Sequence, residues 1–341
     1  MQIKNKIHPL LLVLISYLAY GQEQFVSNYM DLDGVKIHYL DFGGEGLPII
    51  LIHSEGWDAN TFQEFGSMLK GKNRVLAITR PGYGVSEPLG YDVASQANAI
   101  ISFARALGIE KAVFIGNGST TCELTYLGEN YPEQVAGLIY LNGLATPWLD
   151  IYDQDPNRAF EMFRRASPGP NDKKEITVLR KTYRPEYLNN AENIQVPALA
   201  LVNANGLTGS EKGIAALALV GSSYMAAVRN KMSESPVKDY LTMLADSDDF
   251  RQKEIANIKD NTARQFFLKL AKDTSLQKEI FLFHTKKVLP AIHAEQQRFV
   301  KAFGENLEMV RLNVATVVGY EYRDAPELIL NPMLDFIEKL D

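Results

Sequence analysis

The sequence predicts an α/β protein built on a doubly wound, mostly parallel β-sheet. Residues 111–142 contain an apolar run, a tight Gly-Asn-Gly-Ser turn, a helical stretch with Leu124 and Leu127 on one face, and a second apolar run. This order is typical of a parallel βαβ unit. The chain has 341 residues, 46% hydrophobic and 22% charged, which is enough for a sizeable core. Because ligands bind at the carboxyl ends of strands in such sheets, we expect the site at the turn 116–120.

The first 21 residues have the pattern of a signal peptide. Lys4 and Lys6 give a basic start, Pro9 to Tyr20 is apolar and uncharged, and Ala19-Tyr20-Gly21 offers small residues for cleavage. The apolar run is shorter than the roughly 20 residues of a spanning helix. We therefore expect an exported protein, periplasmic or secreted, with no stable membrane span after cleavage near Gly21.

Charge and cysteine content exclude some classes of function. The formal net charge of −6 gives no basic footprint for nucleic acid. The single cysteine, Cys122, allows no internal disulfide, and we interpret it as a small buried apolar residue. We expect no cofactor and no metal, and a small molecule as the ligand. The sequence identifies no protein partner.

The segments before this turn follow a regular order. Asp33-Gly34 predicts a hairpin between strands at 29–32 and 35–40. Further strands are predicted at 48–52 and 74–78, and an amphipathic helix at 91–107, ended by Gly108.

Two motifs in residues 28–145 resemble the α/β-hydrolase family, in its esterase and lipase-like branch. One is Arg80-Pro81-Gly82-Tyr83-Gly84-Val85-Ser86, and the other is the turn at 116–120. The family writes that turn, its nucleophile elbow, as Gly-x-Ser-x-Gly. The resemblance puts Gly116 on the first glycine, Asn117 on the usual histidine, Gly118 on the nucleophile, Ser119 on the variable position and Thr120 on the last glycine.

The resemblance also implies that the three positions of a Ser-His-Asp triad are vacated. Asn203 to Gly206 stand where the family has its acid, and Gly319-Tyr320 stand where it has its histidine. A nucleophile needs a base within hydrogen-bond reach and a group that orients that base. Where catalysis demands no side chain, glycine is the stable residue at a strained turn. We therefore predict a positive φ at Gly118.

The loop after the strand at 48–52 also departs from the family pattern, which has His-Gly there and an oxyanion-hole N–H in the following loop. Here the sequence reads His53-Ser54-Glu55, which restricts the backbone and adds a negative charge. We interpret His53 as a structural residue that bonds the loop backbone. His284 and His293 are interpreted as surface or helix-face histidines. The predicted ligand pocket contains Ser54, Glu55, Gly118, Ser119, Asn205 and Tyr320.

The predicted organisation places two helical segments around the core. Residues 207–290 form a helical insertion that either completes the core or acts as a lid over the pocket. The segments are a signal peptide at 1–21, the first half of the core at 22–145, a short cap at 146–195, a core strand at 196–206, the insertion at 207–290 and the last part of the core at 291–341.

Three functions are compatible with these features. The first is a non-hydrolytic protein that binds a small, partly apolar ligand or a partner. The second is an esterase-like enzyme with displaced catalytic groups, in which Ser119 is the nucleophile because it is a hydroxyl directly at the elbow. The third takes Gly116-Asn117-Gly118 as a nucleotide-binding turn, although Thr121 stands where that fingerprint has its third glycine.

Overall fold

An eight-stranded sheet forms the centre of the protein. The computed structural model describes residues 25–54, 57–141, 151, 154–166, 194–203, 247–312 and 321–340. The strand order across the sheet is β1-β2-β4-β3-β5-β6-β7-β8. The strands are β1 (Val26–Leu32), β2 (Val35–Gly43), β3 (Pro48–Ile52), β4 (Arg74–Ile78), β5 (Ala112–Asn117), β6 (Val135–Leu141), β7 (Ala198–Asn203) and β8 (Leu307–Leu312).

The sheet is antiparallel at one edge and parallel through the rest. β2 pairs antiparallel with β1 and with β4, and the pairs from β4 through β8 are parallel. The β1–β2 hairpin turns at Asp33 (φ 54°) and Gly34 (φ 87°), a conformation that Asp-Gly adopts readily. The predicted fold class and hairpin are confirmed.

The described helices either connect the strands of the sheet or pack against one another in a separate helical block. They are α1 (Gln63–Leu69), α2 (Val93–Ala106), α3 (Thr121–Asn130), α4 (Ala159–Ala166), α5 (Asp248–Asn257), α6 (Asn261–Leu270), α7 (Thr274–Phe283), α8 (Leu289–Phe303), α9 (Glu321–Asp324) and α10 (Pro326–Glu338). A π-helical turn, His284–Val288, joins α7 to α8. None of the described helices is long and apolar enough to cross a bilayer.

Apolar side chains cover both faces of the sheet. On one face, residues of α2, α3 and α8 pack with alternate residues of the strands, including Phe103, Leu124 and Phe299. On the other face, α1 and α10 do the same, with Phe65 and Met333 buried. A third cluster lies within the helical block and joins α4 to α5, α6 and α7.

The predicted segments agree with the structure where it describes them, with shifted bounds. β8 lies in the segment predicted as the last part of the core, 291–341, and residues 313–320 of that segment lie outside the described part. The described part of the predicted insertion, residues 247–290, is mostly helical. The predicted signal peptide and most of the predicted cap at 146–195 also lie outside the described residues, and the domain boundaries stay predictions.

Candidate functional site

The turn between β5 and α3 is a sharp strand-to-helix turn. β5 ends at Asn117, residues Gly118–Thr120 form a single 3-10 turn, and α3 begins at Thr121. Gly118 has φ 58°, as predicted, a left-handed conformation that favours glycine. The Thr120 hydroxyl donates to the Asn117 carbonyl at 3.0 Å and the Thr121 hydroxyl to the Gly118 carbonyl at 2.9 Å. These bonds hold the turn in a closed shape.

Ser54, in the loop after β3, fills the space in front of Gly118. A Cβ placed on Gly118 would lie 2.8 Å from Ser54 Oγ and 3.5 Å from Ser54 Cβ. Ser54 is only 5% exposed, so its side chain has little room to withdraw. A nucleophile side chain at position 118 would therefore collide with this hydroxyl.

The side chain of Asn117 accepts a hydrogen bond from the backbone of the same loop. Its Oδ1 accepts the Ser54 N–H at 3.0 Å, and both residues are buried. A hydrogen bond of this length satisfies the donor. The Ser54 N–H is thus engaged within the protein.

Both ring nitrogens of His53 are bound to backbone. The Arg80 N–H donates to Nε2 at 2.9 Å, so Nε2 is an acceptor, and Nδ1–H donates to the Ser54 carbonyl at 2.7 Å. Burial, and then the Arg80 cation, hold the pKa of His53 well below its ordinary value. The ring is therefore neutral and structural, in agreement with its interpretation from the sequence.

A buried ion pair lies beneath the elbow. Arg80 Nη1 donates to Glu123 Oε1 of α3 at 2.7 Å, and both side chains are almost fully buried. The guanidinium also lies 4.6 Å from the centre of the Tyr83 ring. This pair joins the turn after β4 to the first turn of α3, and so it fixes where the elbow sits.

The loop after β3 is attached to α9 at its far end. The Thr61 and Tyr322 hydroxyls lie 2.8 Å apart, and the Arg323 guanidinium lies 5.8 Å from the centre of the Trp57 ring. The Tyr322 ring is buried against Phe62 and Phe65. These contacts bring α9 to the same edge of the sheet as the elbow.

The fold can now be compared with those of known proteins. A solved E-2-(acetamidomethylene)succinate hydrolase aligns with 92% of this chain and 99% of its own, with a TM-score of 0.53 and 13% identity. A serine hydrolase involved in carbazole degradation aligns over the same shares, with a TM-score of 0.52 and 14% identity. The strand order, the strand-to-helix turn at Gly118 and these alignments all indicate the same fold.

The chain has the α/β-hydrolase fold. In sequence, it is 29% identical over 133 residues to a bifunctional esterase/perhydrolase of Acinetobacter calcoaceticus, a match that covers 37% of this chain and 47% of that protein. The chain thus spans about half the length, or less, of these curated relatives. No protein-family model matches the sequence. Such relatives are mostly hydrolases by name.

Within the α/β-hydrolase fold, the structure brings two predicted pocket residues together, Ser54 and Gly118. The backbone of Ser119 follows Gly118 in the 3-10 turn, but its side chain lies outside the described part. The other three predicted pocket residues, Glu55, Asn205 and Tyr320, also lie outside it. Among the described residues, no group of three His, Cys, Asp or Glu could hold a metal ion.

The remaining predictions concern histidines and Cys122. Cys122 is buried, as predicted. His284 was interpreted as a surface or helix-face residue: it lies in the π-helical turn, but it is not at the surface, since the turn places it inside the protein, only 6% exposed. The side chain of His293 is outside the described part.

Sequence reasoning missed the polar groups that brace the elbow. Glu123 follows Cys122 and precedes Leu124 in α3, and a carboxylate among buried residues is an indication of a buried partner. The role of Asn117 had no such signal, because its hydrogen bond to Ser54 joins residues 63 positions apart.

Proposed function

We propose that the protein is an exported, non-hydrolytic member of the α/β-hydrolase fold that binds a small, partly apolar ligand or a partner at the carboxyl edge of the sheet. The observation that carries the proposal is the position of Ser54 Oγ, 2.8 Å from the place of a Cβ on Gly118. The hydroxyl of a residue in the loop after β3 thus lies where the side chain of an elbow nucleophile would begin. The elbow retains its backbone shape without a reactive group at its tip.

The surrounding polar groups support the same proposal. His53 follows β3, the strand beside β5, and both of its nitrogens are engaged with backbone. It could accept a proton only by giving up the Arg80 N–H, and a general base must be free to reach the proton it removes. The Ser54 N–H is engaged by Asn117 in the same way.

An esterase-like enzyme with displaced catalytic groups is the second candidate. It is favoured by the relatives, which are largely hydrolases by name, and by the hydroxyls of Ser54 and Ser119 in and beside the elbow. In that case one of these two serines would carry the turnover of esters.

Hydrolysis of p-nitrophenyl acetate separates the two candidates. The wild type is expected to match buffer, and Ser54→Ala and Ser119→Ala are expected to change nothing. Turnover by the wild type that either substitution abolishes would establish the enzyme and identify its nucleophile.

Export rests on residues 1–21 and needs its own measurement. Expressed in a bacterial host with a periplasm, the full chain is expected to yield a mature protein that begins near Gln22. The intact mass of that protein reports the cleavage site. A full-length species retained in the membrane would contradict export.

A further inference from the structure

A buried stripe with two polar residues runs along the longest helical segment of the described chain. α7, the π-helical turn and α8 follow one another without a break from Thr274 to Phe303. Two of the stripe residues, His284 and Gln296, are polar, and each is only 6% exposed. The buried positions of the stripe are Ile280, His284, Val288, Gln296, Phe299 and Phe303.

Each polar residue of the stripe has an atom without a hydrogen-bond partner among the residues that the structure describes. These atoms are Gln296 Oε1 and His284 Nε2, both buried. An unsatisfied buried polar atom costs about 1–3 kcal/mol, and native proteins leave few of them. A group that the described residues do not include would satisfy each of these atoms.

The direction of α8 places Gln296 at the ligand-binding edge of the sheet. α8 leads through Gly304–Asn306 into the first residue of β8, so it runs against the parallel strands and its start lies towards their carboxyl ends. The Phe299 ring lies 5.0 Å from that of Tyr140, the next-to-last residue of β6. One helical turn earlier, Gln296 lies about 4.5 Å further towards that edge.

The same level of the sheet holds the elbow. Tyr140 is opposite Gly116 in the β5–β6 register, and Asn117 and Gly118 follow Gly116. Gln296 therefore stands near the height of the elbow, on the face of the sheet that α3 and α8 cover.

We propose that the side-chain amide of Gln296 binds a hydroxyl group of the ligand at this edge. The inference rests on the proposed function and specifies its ligand as an uncharged, mainly apolar molecule with a hydroxyl. A hydroxyl both donates and accepts, so it satisfies the amide in either orientation. Burial lowers the pKa of His284 to about 4, so the second polar residue of the stripe is also uncharged near neutral pH. Neither Gln296 nor His284 carries a charge that would compensate a carboxylate or an ammonium group on the ligand.

Phenol and benzene are matched probes for this site, because they differ by one hydroxyl. Calorimetric titration of the wild type is expected to show tighter binding of phenol, by about tenfold, as one hydrogen bond allows. In Gln296→Leu the preference is expected to reverse, because an apolar wall favours benzene. Gln297→Leu is the matched control, since Gln297 is exposed one residue away, and it is expected to keep the wild-type preference.

The proposal is overturned if the wild type binds no phenol, or if Gln296→Leu keeps the preference for phenol. Urea denaturation of Gln296→Leu shows whether the variant folds, and removal of an oxygen that has no partner among the described residues should leave the urea midpoint unchanged or raise it. Ester hydrolysis by the wild type would overturn the proposed function alone. The binding preference between phenol and benzene is measured separately, so its reversal in Gln296→Leu tests the role of Gln296 by itself.

Discussion

The Ser54 hydroxyl lies directly against Gly118: Ser54 Oγ is 2.8 Å from the point that a Cβ on Gly118 would take. The two residues follow neighbouring strands, β3 and β5, at the edge where the α/β-hydrolase fold holds its site. A glycine at the elbow therefore fits beside the buried serine of the loop. A side chain at position 118 requires the Ser54 hydroxyl to move.

Gly118→Ser is expected to destabilise the fold by about 1–3 kcal/mol or more. The backbone at φ 58° is strained for any other residue, and the new side chain must also displace Ser54. The double variant Ser54→Gly/Gly118→Ser should recover the part of this stability loss that the collision with Ser54 causes. Urea denaturation of the two variants measures the difference. Equal stability of the two would show that Ser54 does not occupy the nucleophile's space.

Neither of these variants is expected to hydrolyse esters. His53 is neutral and bound on both sides to backbone, so it cannot activate the new hydroxyl. Initial rates with p-nitrophenyl acetate provide the measurement. A large gain of activity in the double variant would reveal a working base that the described residues do not contain.

His53→Ala is expected to cost several kcal/mol, because it leaves the Arg80 N–H and the Ser54 carbonyl unsatisfied in the interior, at about 1–3 kcal/mol each. His53→Gln keeps one donor and one acceptor and should recover part of the loss. Thermal unfolding of both variants tests this. Wild-type stability in His53→Ala would mean that the two bonds contribute little.

The Arg80–Glu123 pair should respond differently to single and double replacement. Removing one partner leaves a buried charge uncompensated, and we expect Arg80→Met or Glu123→Leu alone to cost about 3–5 kcal/mol. The double variant should lie much closer to the wild type, since apolar pairs of similar volume replace such bridges well. A double-mutant cycle in urea measures the coupling. Additive losses would show that the two charges stabilise the fold separately.

Acid should destabilise the protein through its buried histidines. Burial lowers the pKa values of His53 and His284, so in the pH range below about 6.5 the unfolded chain binds protons that the folded chain does not. Stability is fully present above about pH 6.5 and falls as the pH falls, for His284 until its folded pKa of about 4. Each histidine contributes up to about 1.4 kcal/mol per pH unit. Urea midpoints between pH 7 and 5 should fall less steeply in His284→Leu than in the wild type, and equal slopes would contradict the burial of His284.

The sequence was sufficient for the fold and for the backbone conformation of Gly118. Apolar runs and turn residues predict the strands because those patterns are local, and the positive φ of Gly118 follows from its place between a strand and a helix. The collision with Ser54, the hydrogen bond of Asn117 and the burial of His284 depend on residues far apart in the chain. No local pattern encodes such contacts, so the sequence alone leaves His284 either at the surface or on a helix face.

Treatment of the wild type with a fluorophosphonate probe, followed by intact-mass measurement, tests most directly whether the elbow carries a reactive serine. We predict an unmodified mass, because position 118 offers no hydroxyl and His53 is not available as a base. The outcome that contradicts it is one stoichiometric adduct on the wild type that is lost in Ser119→Ala or in Ser54→Ala.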